Sequence, residues 1–178
     1  MNRRYRWIAL AALLAAAPLR ADEPEWGLAA GGGFAFRFSG RPGTNENLVL
    51  LAPSAAWRVS SRLDYVAEGH LAYYFGPHGY MVGLVPIGGR FTLGSLRGCV
   101  LPYVEIGAGL GWTNLVPILE IDRRFNFIVQ GGGGVRGKLP GGDSWTFEAR
   151  WSHYSNANTE RPNIGLNCLV FLLGWRFR

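Results

Sequence analysis

Alternation between apolar and polar side chains is the feature that most constrains how this 178-residue chain folds. In 144–155 the odd positions are mostly aromatic, whereas the even positions include Glu148 and Arg150. The same period of two recurs in 63–75 and 125–138. Because successive side chains of a β-strand point to opposite faces of the sheet, each stretch predicts a strand with one apolar and one polar face.

Eight such segments are predicted, separated by turn sequences rich in glycine and proline. They span 27–38, 47–59, 63–75, 80–93, 102–113, 125–138, 144–155 and 167–177. Each is close to the ~10 residues that a tilted strand needs to cross a bilayer. Charged residues make up 17% of the chain, fewer than is usual in a soluble domain. The sequence therefore predicts an all-β fold, an eight-stranded antiparallel transmembrane β-barrel with a packed interior.

The first 21 residues are typical of a secretory signal peptide, which leaves 22–178 as the barrel. Three arginines among the first six residues precede an apolar run at 8–19. A retained anchor helix is the alternative, but this run falls short of the ~20 residues that span a membrane. The formal charge of the whole chain is +6, but residues 1–21 contribute four arginines and no acidic residue. The remaining 14 basic and 12 acidic side chains give a net charge of +2, which indicates no nucleic-acid partner.

Strand counting predicts which connections lie on each side of the membrane. With the N-terminus in the periplasm, the extracellular connections are 39–46, 76–79, 114–124 and 156–166. The periplasmic turns are then 60–62, 94–101 and 139–143. Cys99 and Cys168 fall at opposite ends of a barrel about 25 Å tall. Because a disulfide needs Cα atoms within about 7 Å, we expect two free thiols.

A polar pair stands out at the outer end of the seventh strand. His153 and Ser155 are two residues apart, so they share a face with Trp151, the apolar face. Polar groups on a lipid-facing wall are costly unless they have partners. A neighbouring imidazole can act as the base that makes a serine nucleophilic, and a serine activated on this wall can attack an ester of a lipid that lies alongside. The alternative is that both are ordinary polar residues at the level of the lipid headgroups.

The stretch around this pair resembles a known family. The run His153-Tyr154-Ser155-Asn156-Ala157, followed by Pro162-Asn163-x-Gly165, is similar to the C-terminal motif of the outer-membrane lipid A 3-O-deacylase (PagL-type) family. The motif similarity covers about 149–177. It implies an eight-stranded barrel in the outer membrane of a Gram-negative bacterium. It also implies a serine esterase that hydrolyses an ester-linked acyl chain of lipid A, the membrane anchor of lipopolysaccharide.

The resemblance also implies roles for individual residues. Ser155 is expected to be the nucleophile and His153 the general base. Asn163 is expected to help bind the oxyanion, together with backbone N–H groups around 156–158. Asn156 is expected to shape the turn.

One position departs from the family. The best-known family members carry a glutamate where this chain has Asn167. Asn167 shares the outward parity of His153, and its oxygen can accept the imidazole Nδ1–H and fix the tautomer. We therefore favour Asn167 as the third member of the triad. Two alternatives stay open: Glu160 in the neighbouring loop substitutes, or the site is weakened.

No metal or cofactor is expected, because His70 and His78 lack metal-ligand spacing with His153 or with a cysteine. We expect Glu105 and Glu148 to join Arg136 and Arg150 in an ionic network inside the barrel.

The sequence is also compatible with two other functions: a non-catalytic barrel with a structural or adhesive role, and a lipid acyltransferase. The sequence does not decide which ester is cleaved. It also leaves a homodimer open, because interface residues would have the same apolar pattern as the lipid-facing wall.

Overall fold

The computed structural model describes residues 23–36, 46–96, 99–116, 121, 123–159 and 165–177. The expected signal peptide at 1–21 lies outside these ranges. The strands are β1 (Glu25–Phe36), β2 (Asn47–Arg58), β3 (Leu63–Tyr74), β4 (Gly79–Thr92), β5 (Val100–Thr113), β6 (Phe125–Lys138), β7 (Ser144–Ser155) and β8 (Leu166–Phe177). In the ranges described, no helix is both long and apolar enough to cross a membrane.

Each strand pairs antiparallel with its neighbour in sequence, and β1 pairs with β8 to close a barrel. The closing register runs from Trp26 opposite Phe177 to Phe36 opposite Asn167. A closed sheet has no free edge, so every strand finds a backbone partner on both sides. The predicted eight-stranded antiparallel barrel is confirmed, and its strand bounds differ from the predicted ones by only a few residues.

The alternation places apolar side chains outside and polar ones inside along most strands. In β7 the even positions are buried, while Trp145 and Phe147 are exposed on the outer wall. β4 is the exception, because its register shifts against both neighbours around Pro86. Proline cannot donate a ladder hydrogen bond, and an extra residue there forms a β-bulge. Outward residues are therefore even before the bulge, as at Val82, and odd after it, as at Phe91.

The barrel interior has two unlike halves. We call the end that carries the β1–β2, β3–β4, β5–β6 and β7–β8 connections the long-loop rim. Its half of the interior is mainly apolar, with Leu48, Tyr74, Ile128 and Tyr154 among its fully buried side chains. The buried Cys168 lies there, the exposed Cys99 lies at the other end, and both thiols are free as predicted.

The other half holds an ionic network centred on Arg150, whose side chain is 2% exposed. Its Nη1 lies 2.5 Å from Glu68, its Nε 2.6 Å from Glu148 and its Nη2 3.8 Å from Glu105. The predicted association of Glu105 and Glu148 with Arg150 is thus confirmed.

The expected role of Arg136 in that network is wrong. Arg136 pairs with Glu25 instead, and its Nε donates to Ser144 Oγ at 3.0 Å. Arg136 lies opposite Thr146, four residues nearer the start of β7 than Arg150. Its guanidinium therefore reaches the side chain of Glu25, the first residue of β1. Parity fixes which side of the sheet a residue faces but not its height in the barrel.

Replacement of Arg150 by alanine is expected to destabilise the barrel by about 3–5 kcal/mol, because buried carboxylates would lose their shared counter-charge. Urea unfolding of the refolded protein in lipid vesicles measures this. The control is Arg62→Ala in the β2–β3 connection, where the residue is exposed and the change is expected to cost about 0.5 kcal/mol or less. Equal stability of the two variants would contradict the central role of Arg150.

Candidate active site

The predicted pair lies where β7 reaches the long-loop rim. His153 and Ser155 both face outward and are half-buried, and Ser155 is the last residue of the strand. The chain then turns through Ala157 and Asn158, whose φ angles of 54° and 61° lie in the left-handed region. Thr159 closes this turn by donating from Oγ1 to the Asn156 carbonyl at 2.8 Å. The turn ends the strand immediately after the serine.

Asn167 lies directly opposite His153 on β8. The His153 Nδ1 and Asn167 Oδ1 atoms are 3.0 Å apart, a hydrogen-bond distance. Asn167 is only 8% exposed although it faces outward, and its Oδ1 contacts the side chains of Trp151 and His153 on β7. The structure therefore brings together the two residues that strand parity placed on one face.

Trp151 covers this pair from the side nearer the middle of the barrel. Its ring is stacked on the His153 imidazole, with centroids 5.9 Å apart and an interplanar angle of 19°. Its Nε1 donates to Asn167 Oδ1 at 3.3 Å. Strand parity in the sequence predicts only that Trp151 lies on the apolar outer face. Its spacing of two from His153 was the signal that could have linked it to the site.

Ser155 follows His153 on the same face and lies opposite Phe127 of β6. Within the part of the chain that the structure describes, its hydroxyl makes no hydrogen bond to the imidazole. In substrate-free enzymes such catalytic hydrogen bonds are often long and tighten only when substrate is bound.

Gly165 lies against the outer edge of the imidazole. Its φ is +75°, a conformation that favours glycine. A Cβ added there would lie 2.6 Å from His153 Cε1 and 3.0 Å from His153 Nε2. Only a residue without a side chain therefore leaves the ring in place.

The sequence predicts possible roles in the site for three further residues. Asn156 is 3% exposed and follows Ser155 at the start of the turn. Asn163 and Glu160 lie outside the described residues. Among the residues that the structure describes, no cluster of histidine, cysteine, aspartate or glutamate could hold a metal ion.

An apolar groove of about 590 Å³ adjoins the site on the outer wall. Its lining includes Trp151 and Val129, and Val129 lies directly opposite His153. Small residues of neighbouring strands form much of its floor, namely Gly89, Ala108 and Gly131. The barrel thus has an apolar depression that begins beside the imidazole.

The molecule is a closed eight-stranded barrel with an apolar outer wall, and at its rim a hydrogen-bonded His153–Asn167 pair lies on the same face as Ser155. The sequence matches the family described as lipid A 3-O-deacylase (PagL) over residues 55–176. The chain belongs to this family. The resemblance seen in the sequence is therefore confirmed.

Two solved structures share the fold. The crystal structure of the outer membrane enzyme PagL is 20% identical, covers 83% of this chain and 97% of its own, and has a TM-score of 0.66. Neisserial surface protein A is 13% identical, covers 86% and 94%, and has a TM-score of 0.62. No curated protein matches the chain significantly.

Family membership confirms the enzyme class and the location that were expected from the sequence. The protein is an enzyme, a lipid A deacylase of the carboxylic ester hydrolase class. It is an integral barrel of the outer membrane of a Gram-negative bacterium.

Substitution of Gly165 by alanine is expected to lower the rate of deacylation about tenfold or more, because the added Cβ displaces the His153 ring. The control is Gly141→Ala, which has a similar φ of +93° but no atom within 4 Å of its Cβ. Both variants carry a similar backbone strain of about 1–2 kcal/mol, so a difference between their activities reports the contact with His153. Activity assays on the refolded proteins separate them, and equal activity would contradict the contact.

Proposed function

We propose that the chain hydrolyses an ester-linked acyl chain of lipid A in the outer leaflet, with Ser155 as nucleophile and His153 as general base. The observation that carries this proposal is the hydrogen bond of 3.0 Å between His153 Nδ1 and Asn167 Oδ1. It holds the imidazole by Nδ1, and none of the residues that the structure describes makes a hydrogen bond to Nε2. The family description, lipid A 3-O-deacylase, supports the ester at position 3 as the bond that is cleaved.

The reaction follows from these groups as two acyl transfers. Ser155 Oγ attacks the ester carbonyl while His153 Nε2 takes the hydroxyl proton. The tetrahedral intermediate collapses, His153 returns the proton to the departing sugar hydroxyl, and the acyl chain stays on Ser155. A water molecule, deprotonated by His153, then attacks the acyl-enzyme, and His153 returns that proton to Ser155 Oγ as the fatty acid leaves. Asn167 keeps the imidazole oriented through both halves.

The negative charge of each tetrahedral intermediate needs hydrogen-bond donors. We assign this role to the Asn163 amide and to backbone N–H groups around 156–158. The left-handed turn at Ala157 and Asn158 supports this assignment, because consecutive residues of a turn can aim their N–H groups at one oxygen.

The position of the site supports a lipid substrate. His153 and Ser155 project from the outer wall, so an ester in the surrounding leaflet reaches them without entering the filled interior. The groove beside Trp151 is apolar and runs along this wall, where it can hold a hydrocarbon chain. The His153–Asn167 pair and the groove belong to one chain, so the proposed site does not depend on a homodimer.

Replacement of Ser155 by alanine is expected to abolish deacylation, because the acyl acceptor is lost. Mass spectrometry of lipid A from expressing cells should show loss of one acyl chain with the wild type and an intact pattern with Ser155→Ala. Ser152→Ala is the matched control, because Ser152 lies on the same strand but is fully buried on the interior side. Its lipid A should resemble that from wild-type cells.

Two outcomes of this experiment would contradict the proposal. Identical acyl patterns with the wild type and Ser155→Ala would mean that Ser155 is not the nucleophile. Transfer of the missing chain to another lipid, without release of fatty acid, would mean that the enzyme is an acyltransferase.

A further inference from the structure

Trp151 contacts both members of the His153–Asn167 pair at once. Its indole stacks on the imidazole, and its Nε1 lies 3.3 Å from Asn167 Oδ1. The same Oδ1 atom lies 3.0 Å from His153 Nδ1. One amide oxygen therefore accepts hydrogen bonds from two aromatic side chains of the neighbouring strand.

The indole decides which way the amide points. An asparagine side chain carries an acceptor oxygen and a donor NH₂, and it can present either one after a half-turn. The indole N–H can only donate. If the amide turned, its NH₂ would face the N–H of Trp151, and two donors would meet at a nearly buried position. Trp151 thus disfavours the turned amide by the cost of an unpaired polar group.

The orientation of the amide in turn fixes the tautomer of the histidine. With Oδ1 towards the ring, His153 Nδ1 must carry the proton, so the lone pair stays on Nε2. With NH₂ towards the ring, Nδ1 would accept and Nε2 would carry the proton. An imidazole in that second state could not accept a proton from Ser155 through Nε2.

We propose that Trp151 is a positioning residue that fixes the amide orientation of Asn167 and, through it, the basic tautomer of His153. This inference rests on the proposed function of Ser155 and His153. A carboxylate has two equivalent oxygens and would need no such partner. The indole is therefore what allows an asparagine to orient the histidine.

The test removes the indole N–H and keeps an aromatic ring. Trp151→Phe is expected to lower kcat about tenfold, as the loss of one hydrogen bond does, with KM changed less than about twofold. In the Asn167→Asp protein, the same Trp151→Phe change should alter kcat by less than about twofold, because either carboxylate oxygen can accept from Nδ1. Trp145→Phe on the same face of β7 is the control and should leave kcat unchanged.

Two kinetic results would overturn the inference. Equal kcat for Trp151→Phe and Trp145→Phe would show that the indole N–H does not matter. An equal loss in the Asn167 and Asn167→Asp backgrounds would show that Trp151 acts only through packing.

A second measurement does not depend on turnover. The ¹⁵N spectrum of histidine-labelled protein reports the tautomer of each of the three histidines, with His70 and His78 assigned by substitution. We expect a single Nδ1–H tautomer for His153 in the wild type and a mixture in Trp151→Phe. The same single tautomer in both would overturn the inference. Absence of deacylase activity in the wild type would refute the proposed function, and this spectrum would still decide the role of Trp151.

Discussion

Backbone hydrogen bonding is the constraint on which the rest of the structure depends. A chain that crosses a bilayer finds no water there, so each strand must satisfy its N–H and C=O groups on neighbouring strands. Pairing of β1 with β8 meets this requirement by closing the sheet. Closure makes every strand present one face to lipid and one to a narrow interior. The alternation in the sequence, the aromatic outer wall and the inward charges are consequences of it.

Side chains fill the part of the barrel interior that the structure describes, so the candidate site lies on the outer wall. Arg150 and its carboxylate partners fill one half, and a mainly apolar cluster that includes Tyr154 fills the other. A polar site facing lipid has to satisfy its own polar groups. His153 does so through Asn167, and Asn167 is covered in turn by Trp151.

Much of this architecture could be predicted from the sequence, because strand parity is a local property. The common face of His153 and Asn167 followed from counting alternate residues. What escaped prediction depends on register and height. The bulge at Pro86 reverses parity within β4, Arg136 meets Glu25 from a strand distant in sequence, and the contacts of Trp151 exist only once β7 and β8 are aligned.

Acylation of Ser155 through His153 on the outer wall is the step on which the proposed mechanism depends. It is tested by reaction of the purified barrel with a long-chain alkyl fluorophosphonate, followed by intact-mass measurement and peptide mapping. We predict a single adduct on Ser155 that is absent from Ser155→Ala and forms far more slowly in His153→Ala. An enzyme that deacylates lipid A yet carries the adduct on another residue, or reacts equally fast without His153, would contradict the account.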